Sequence, residues 1–298
     1  MTKISRREFA GGVAACAALS FTNRVSFANP LGLPLGLQLY SVRQQMSEDF
    51  EGALAGVSAA GYTEVEAAAL PKKDAAEVRT ALDKAGLRCV SAHHPFNDLH
   101  ARFNEIVAYD KQLGVKFLIC ASPGHRNPPS QASGGHATFT LDDWHYNADQ
   151  FNEMGDKLAA QGIRFGYHNH VPEFATTEGK VPYFELLRLT DPKKVTFELD
   201  CGWAVVAGMK PAELLKAHPH RITMLHVKDF KAPASGSSSP EDFKVTELGL
   251  GSIDYHAIFA EAARSQHIEH AFVEQEAFDL PWKDSLKMDA EYMRKLKG

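Results

Sequence analysis

Short apolar runs alternate with longer amphipathic segments along most of this 298-residue chain. Leu35–Ser41, Tyr62–Ala67, Leu87–Ala92, Val115–Ala121, Ile163–His168, Val195–Asp200, Arg221–His226 and His270–Val273 are rich in β-branched and aromatic residues. Uninterrupted runs of that length, bounded by turn or helix signals, predict parallel strands buried on both faces. Helical patterns separate them: from the Ser47 N-cap to Ala60, Asp74–Ala85, about Asp98–Leu113, Leu141–Gln161, Lys180–Leu189, from Pro211, from Leu248–Asp254, and from Trp282. Gly61, Gly86, Gly114 and Gly162 stand at helix-to-strand junctions, where a left-handed C-cap is needed. Eight strand–helix pairs without a break predict a single (β/α)8 barrel, a fold of roughly 250 residues. The rival is an open doubly wound sheet, which carries a glycine fingerprint after its first strand. Leu39-Tyr-Ser-Val-Arg43 has none.

The barrel is expected to occupy residues 29–298. Ser5-Arg6-Arg7-Glu8-Phe9, an apolar run from Ala10 to Phe21 and a small-x-small site at Ser26-Phe27-Ala28 resemble a twin-arginine export signal covering residues 1–28. That resemblance implies a periplasmic protein. The run is too short and glycine-rich for stable membrane insertion once the signal is removed. The formal charge of −5 gives no basic footprint, so nucleic acid is not the expected partner. Cys16 would leave with the signal. Cys89, Cys120 and Cys201 read as small buried residues rather than a disulfide framework. The sequence leaves an oligomer open.

Several strands finish on polar side chains. The fifth ends in His168-Asn169-His170, the sixth in Asp200, the seventh in His226-Val-Lys228-Asp229, and the eighth in Glu274-Gln-Glu276. Carboxylates and imidazoles at the carboxyl ends of barrel strands mark the catalytic face, and they suit a divalent ion. His168, Asp200, His226 and Glu274 are the expected ligands. Mn²⁺ is the first choice, with Zn²⁺, Mg²⁺ or Co²⁺ as alternatives. Glu274, His168 and Lys228 are the expected catalytic groups, and Glu276 is a substitute base. Gln38, Tyr40, Glu66, His93, His170 and Trp203 are expected around the substrate, Glu66 and His93 alternatively supporting the ligands from behind. Glu198 alternates with Asp200 and is expected to orient a ligand. For Lys228 a salt bridge to Asp229 is the competing role; for His125 and His136, on the long loop Ser122–Thr140, it is plain solvation.

Leu39-Tyr-Ser-Val-Arg43, Val90-Ser-Ala-His93, Tyr167-His-Asn-His170 with Glu173-Phe174, and Phe197-Glu-Leu-Asp200 with Trp203 resemble the xylose-isomerase-like superfamily of sugar phosphate isomerases and epimerases. So do His226-Val-Lys-Asp229, Leu248-Gly-Leu-Gly-Ser-Ile-Asp254 and Phe272-Val-Glu-Gln-Glu276. The resemblance runs from Leu37 to the C-terminus. It implies a metal-dependent isomerase or epimerase acting on a keto- or aldo-sugar through an enediolate. In better-known relatives strands five to eight supply Glu, Asp, His and Glu, the two glutamates acting as paired acid–base groups. Here His168 replaces the first glutamate, which puts symmetric two-base chemistry in doubt. Elimination or hydration of a 3-keto-glycoside or related keto-sugar is the alternative, and a non-catalytic sugar-binding protein the less favoured one. No Arg/Lys phosphate cluster is evident, so an unphosphorylated sugar is expected.

Overall fold

The computed structural model describes residues 30–128, 138–233, 236, 237 and 239–296. The stretch expected to be an export signal, residues 1–28, and His136 lie outside the described residues. Strands β1 (Gly36–Gln38), β2 (Glu64–Ala67), β3 (Arg88–Pro95), β4 (Phe117–Ser122), β5 (Arg164–His168), β6 (Val195–Asp200) and β7 (Ile222–Val227) pair in parallel. A small antiparallel hairpin, β8 (Asp229–Lys231) with β9 (Lys244–Thr246), projects after β7. Strand β10 (His270–Val273) then closes the cylinder between β7 and β1. The result is a single (β/α)8 barrel.

The helices are α1 (Arg43–Glu48), α2 (Phe50–Ala60), α3 (Ala75–Ala85), α4 (Phe96–Leu113), α5 (Leu141–Ala159), α6 (Pro182–Leu189), α7 (Cys201–Val206), α8 (Pro211–Ala217), α9 (Tyr255–Ser265) and α10 (Trp282–Lys295). Their buried faces and the outward residues of the strands form one continuous apolar core between barrel wall and helical ring. Local chemistry fixes the boundaries. Asp74 and Glu77 form a reciprocal capping box at the start of α3, and Gly61 closes α2 with φ of 101°.

Three boundaries differ from the sequence reading for physical reasons. The first strand stops at Gln38 because its side-chain oxygen accepts from the Tyr40 N–H and turns Leu39–Val42 into a 3₁₀ helix. The first helix is broken at Asp49, whose side chain caps α2 through the Gly52 N–H. Leu248–Asp254 is a turn, not the beginning of a helix; its Gly249, Gly251 and Ile253 N–H groups donate to Asp229, and Asp254 caps α9. Among the described residues no helix is long and apolar enough to cross a membrane.

Candidate metal centre and active site

Side chains alternate in and out along each strand, so every second residue enters the barrel. Low in the barrel Val90, Phe117, Ile119, Met224 and Phe272 form a separate apolar plug. Above that plug the interior becomes polar in two successive layers.

The inner layer contains Glu66, His93, Glu198 and the inward edges of His168 and His226. Glu66 is fully enclosed: Oε1 accepts from Gln38 Nε2 at 2.7 Å and lies 2.9 Å from His93 Nε2 and 2.7 Å from His226 Nε2. Its Oε2 accepts from Ser91 Oγ at 2.5 Å. Glu198 Oε2 sits 2.6 Å from His93 Nε2, 3.0 Å from His168 Nδ1 and 3.2 Å from His226 Nε2. The His93 and His226 rings stack with 5.1 Å between centroids. Burial alone would push the glutamates up and His93 down. The mutual pairing wins, holding Glu66 well below the usual carboxylate range and Glu198 at about 2, and raising His93 to about 9.

The outer layer lies one alternation nearer the mouth. His168 turns Nε2 towards Asp200 Oδ2, 3.9 Å away. His226 turns Nδ1 towards Glu274 Oε2 at 3.1 Å and Asp200 Oδ2 at 3.9 Å. The two imidazoles therefore face both layers, each through opposite nitrogens. Lys228 completes the outer layer: its Nζ lies 2.9 Å from Glu274 Oε2, 3.4 Å from Asp200 Oδ2 and 2.5 Å from Glu276 Oε1. The same ammonium is 4.9 Å from the centroid of the Trp203 ring. Burial pushes Asp200 up, only partly offset by Lys228 and His226, whereas Lys228 holds Glu274 well below the usual range against its own burial.

Two sets of side chains bring ligand atoms within 4.8 Å of one another: His93, His168, Glu198 and His226; and His168, Asp200, His226 and Glu274. Separation distinguishes them. Ligand bonds of 2.0–2.2 Å place donor atoms roughly 3–4 Å apart around an ion. The outer separations of 3.1 and 3.9 Å match that spacing. Within the inner set Glu198 Oε2 stands 2.6 Å from His93 Nε2, 3.0 Å from His168 Nδ1 and 3.2 Å from His226 Nε2, all within hydrogen-bond reach. Asp200 Oδ2 and Glu198 Oε1 are both buried without a hydrogen-bond partner; of the two, Asp200 Oδ2 is the one that faces His168 Nε2 and His226 Nδ1 across 3.9 Å gaps, where a cation would satisfy it. The outer set fits a divalent ion. The inner carboxylates then take the far N–H groups of the two ligating imidazoles, an arrangement that fixes tautomer and orientation.

Backbone clamps hold the outer groups. Asn169 accepts the Asp200 N–H through Oδ1 at 3.1 Å and donates to its carbonyl from Nδ2 at 3.3 Å. Asp200 Oδ1 caps α7 by accepting from the Trp203 N–H at 2.7 Å, leaving Oδ2 for the site. The Tyr255 hydroxyl accepts from the Lys228 N–H and donates to the Lys228 carbonyl, both at 2.7 Å. Gly202 permits close packing here, because a Cβ would stand 2.8 Å from the Lys228 carbonyl oxygen.

His168, Asp200, His226, Glu274 and Lys228 thus converge, and Trp203 and His170 stand beside them. The His170 ring is 4.8 Å from His168 and 6.4 Å from Trp203. Gln38, Glu66 and His93 are placed differently: they are spent on the inner network beneath the imidazoles, Gln38 and Glu66 fully buried and His93 open only on the side away from the outer layer. Tyr40 is on the rim, exposed, with the Arg43 guanidinium stacked 4.2 Å over its ring. Lys228 makes no pair with Asp229, which points to the opposite side and receives the loop N–H groups described above. His125 is not a solvated loop residue, for it stacks on Phe139 at 4.1 Å. Ser91, Asn169 and Tyr255 escaped the sequence reading; only the period-two register beside Glu66 could have suggested Ser91. A cavity of about 510 Å³ between the ends of β2, β3 and α4 touches His93 but none of the outer layer.

Residues 54–296 match the family described as the xylose isomerase-like TIM barrel. An inosose dehydratase of Clostridium botulinum (strain Alaska E43 / Type E3) is 25% identical over 246 residues, covering 76% of this chain and 82% of the relative. A crystal structure of a sugar phosphate isomerase/epimerase from Parabacteroides distasonis is 27% identical with a TM-score of 0.70, covering 88% of this chain and 98% of that one. The structure of the IOLI protein with a binding zinc atom shares the fold at 13% identity and a TM-score of 0.66, covering 87% and 98%.

Proposed function

The chain belongs to the xylose isomerase-like TIM barrel family, and from that premise we propose that it is a metal-dependent lyase. It removes water, or another β-substituent, from a keto-sugar or cyclic keto-polyol. The similarity to a curated inosose dehydratase supports this reading. The observation that carries it is the one-sided placement of acid–base groups. Glu274, Glu276 and Lys228 occupy one flank, while the position opposite holds His168, whose Nδ1 is paired with Glu198 and whose Nε2 is turned towards Asp200 as an ion ligand would be. Epimerisation through two bases needs a proton acceptor on each face of the substrate. Elimination can be served from one.

His168 Nε2, His226 Nδ1, Asp200 and Glu274 would hold the ion, Mn²⁺ first, with Zn²⁺, Mg²⁺ and Co²⁺ as alternatives. When bound, it supplies Lewis-acid polarisation of a ketone and its neighbouring hydroxyl. The protein's own groups do the proton work. Glu276, the carboxylate nearest the opening, takes the proton from the carbon next to the carbonyl, and the C–H electrons form the new C=C bond of an enolate. When the carbonyl re-forms, the β-carbon–oxygen bond breaks, and the Lys228 ammonium gives its proton to the departing oxygen, releasing water. Glu276, 2.5 Å from Lys228 Nζ, then returns its proton to the amine. The cycle is balanced and both transfers occur on one face, so the elimination is syn. Trp203 forms an apolar wall beside the ammonium and the sugar ring. The substrate is unphosphorylated, and the protein is exported by its twin-arginine signal to the periplasm, which fractionation of the native host would check.

Incubation of the Mn²⁺-loaded protein with a panel of keto-sugars and keto-polyols in D₂O tests the reaction. A product lighter by one water supports the lyase reading. Deuterium uptake at unchanged covalent composition would instead return the isomerase or epimerase favoured by sequence alone.

A further inference from the structure

We propose that the Lys228 ammonium occupies the ion position whenever the ion is absent, and that a divalent ion enters by displacing it towards Glu276. This rests on the outer layer being the ion site. Asp200 and Glu274 are two buried carboxylates at the ends of β6 and β10, on either side of β7, and both face the same ammonium. Without a cation between them the pair would be strongly unfavourable. Lys228 supplies that cation: Nζ is 2.9 Å from Glu274 Oε2 and 3.4 Å from Asp200 Oδ2, on a side chain with no exposed surface.

An ion held by those same oxygens at roughly 2.1 Å would stand only a few ångströms from the ammonium. Like charges at that distance repel strongly in a buried site. The two cations cannot both keep their full set of contacts. The retreat is already built. Glu276 Oε1 is 2.5 Å from Nζ, its side chain is 30% exposed towards the mouth, and the Trp203 ring offers a π-face on the way. Tyr255 pins the Lys228 N–H and carbonyl, so the side chain moves while the backbone stays. Ion binding is thus an exchange of one cation for another. Its second product is an ammonium delivered to the edge of the site, where a leaving oxygen can meet it.

The exchange is tested by Mn²⁺ affinity and by the rate of Mn²⁺ loss to excess chelator, in the full-length exported protein and in Lys228→Met, Lys228→Gln and Lys228→Arg. The neutral variants should bind Mn²⁺ about tenfold or more tightly and release it more slowly, and their metal-free forms should melt earlier. The Arg variant, which keeps the charge, should not gain affinity. If metal-free Lys228→Met does not fold, the release rate of protein purified with Mn²⁺ still gives the answer. Unchanged or weaker Mn²⁺ binding in both neutral variants overturns the exchange alone. Absence of Mn²⁺ binding in the parent and every variant overturns the ion site together with it.

Discussion

The two polar layers of the barrel use the same residue types and share His168 and His226, yet they do opposite things. In the inner layer Glu66 and Glu198 receive Gln38, Ser91, His93, His168 and His226 at 2.5–3.2 Å, with Glu198 Oε1 alone left without a partner. In the outer layer the ligand atoms stand up to 3.9 Å apart, and Asp200 Oδ2 has no hydrogen-bond partner. Composition does not separate the layers. The difference lies in spacing: the inner acceptors stand at hydrogen-bond distance from the imidazole nitrogens, whereas Asp200 Oδ2 stands 3.9 Å from both His168 and His226, a gap that a cation can fill.

The largest effect expected is at the outer layer. Asp200→Asn and His226→Ala should remove ion binding and lower turnover by more than about 10³-fold, the loss of several kcal/mol of polarisation. Bound metal analysis with steady-state assays checks this; a full complement of Mn²⁺ in both variants would break the comparison. Inner-layer changes should be smaller. Glu198→Gln keeps the volume but offers one oxygen where three imidazole nitrogens now converge, and should weaken Mn²⁺ affinity by about 10–100-fold, read by calorimetry. An effect as large as that of Asp200→Asn would assign the ion to the inner set.

A buried carboxylate outside both layers sharpens the contrast. Asp289 accepts from the Leu248 N–H through Oδ1, while Oδ2 is buried without a partner. Burial pushes it up from 3.8 to about 7. Because the folded value is the higher one, its contribution to stability is fully present below about pH 3.8 and is lost as pH rises through about 7. Asp289→Asn should therefore match the parent in acid and exceed it increasingly towards pH 7–8, by on the order of 2–4 kcal/mol. Paired denaturant melts across that range check the sign. The smallest effect is steric. Gly202→Ala puts a Cβ against the Lys228 carbonyl and the Phe230 ring, and should cost roughly 1–3 kcal/mol of stability in a thermal melt.

Much of this was legible from alternation. Runs such as Val195–Asp200 coincide with the observed strand, and two-residue spacing put Glu198 and Asp200 on one face. The same rule, applied to His226-Val-Lys228-Asp229, already sends Lys228 inward and Asp229 outward, so the salt bridge between them was never compatible with the pattern. What spacing could not give was depth. Gln38, Glu66 and His93 end their strands as the ligands do, but β-bulges at Val65/Glu66 in the β2–β3 pairing and at Phe197/Glu198 in the β6–β7 pairing shift the register. Those shifts are three-dimensional facts, and they decide which carboxylates meet donors and which remain open. The α7 turn and the β8–β9 hairpin were likewise missed, being too short for a periodic signal.

The central claim is that one divalent ion sits between the outward nitrogens of His168 and His226. A crystal of the Mn²⁺-loaded protein, measured for anomalous scattering, addresses it directly. The account predicts a single peak at about 2.0–2.3 Å from His168 Nε2, His226 Nδ1, Asp200 Oδ2 and Glu274 Oε2. A peak bounded by His93 Nε2, His168 Nδ1 and Glu198 would contradict it.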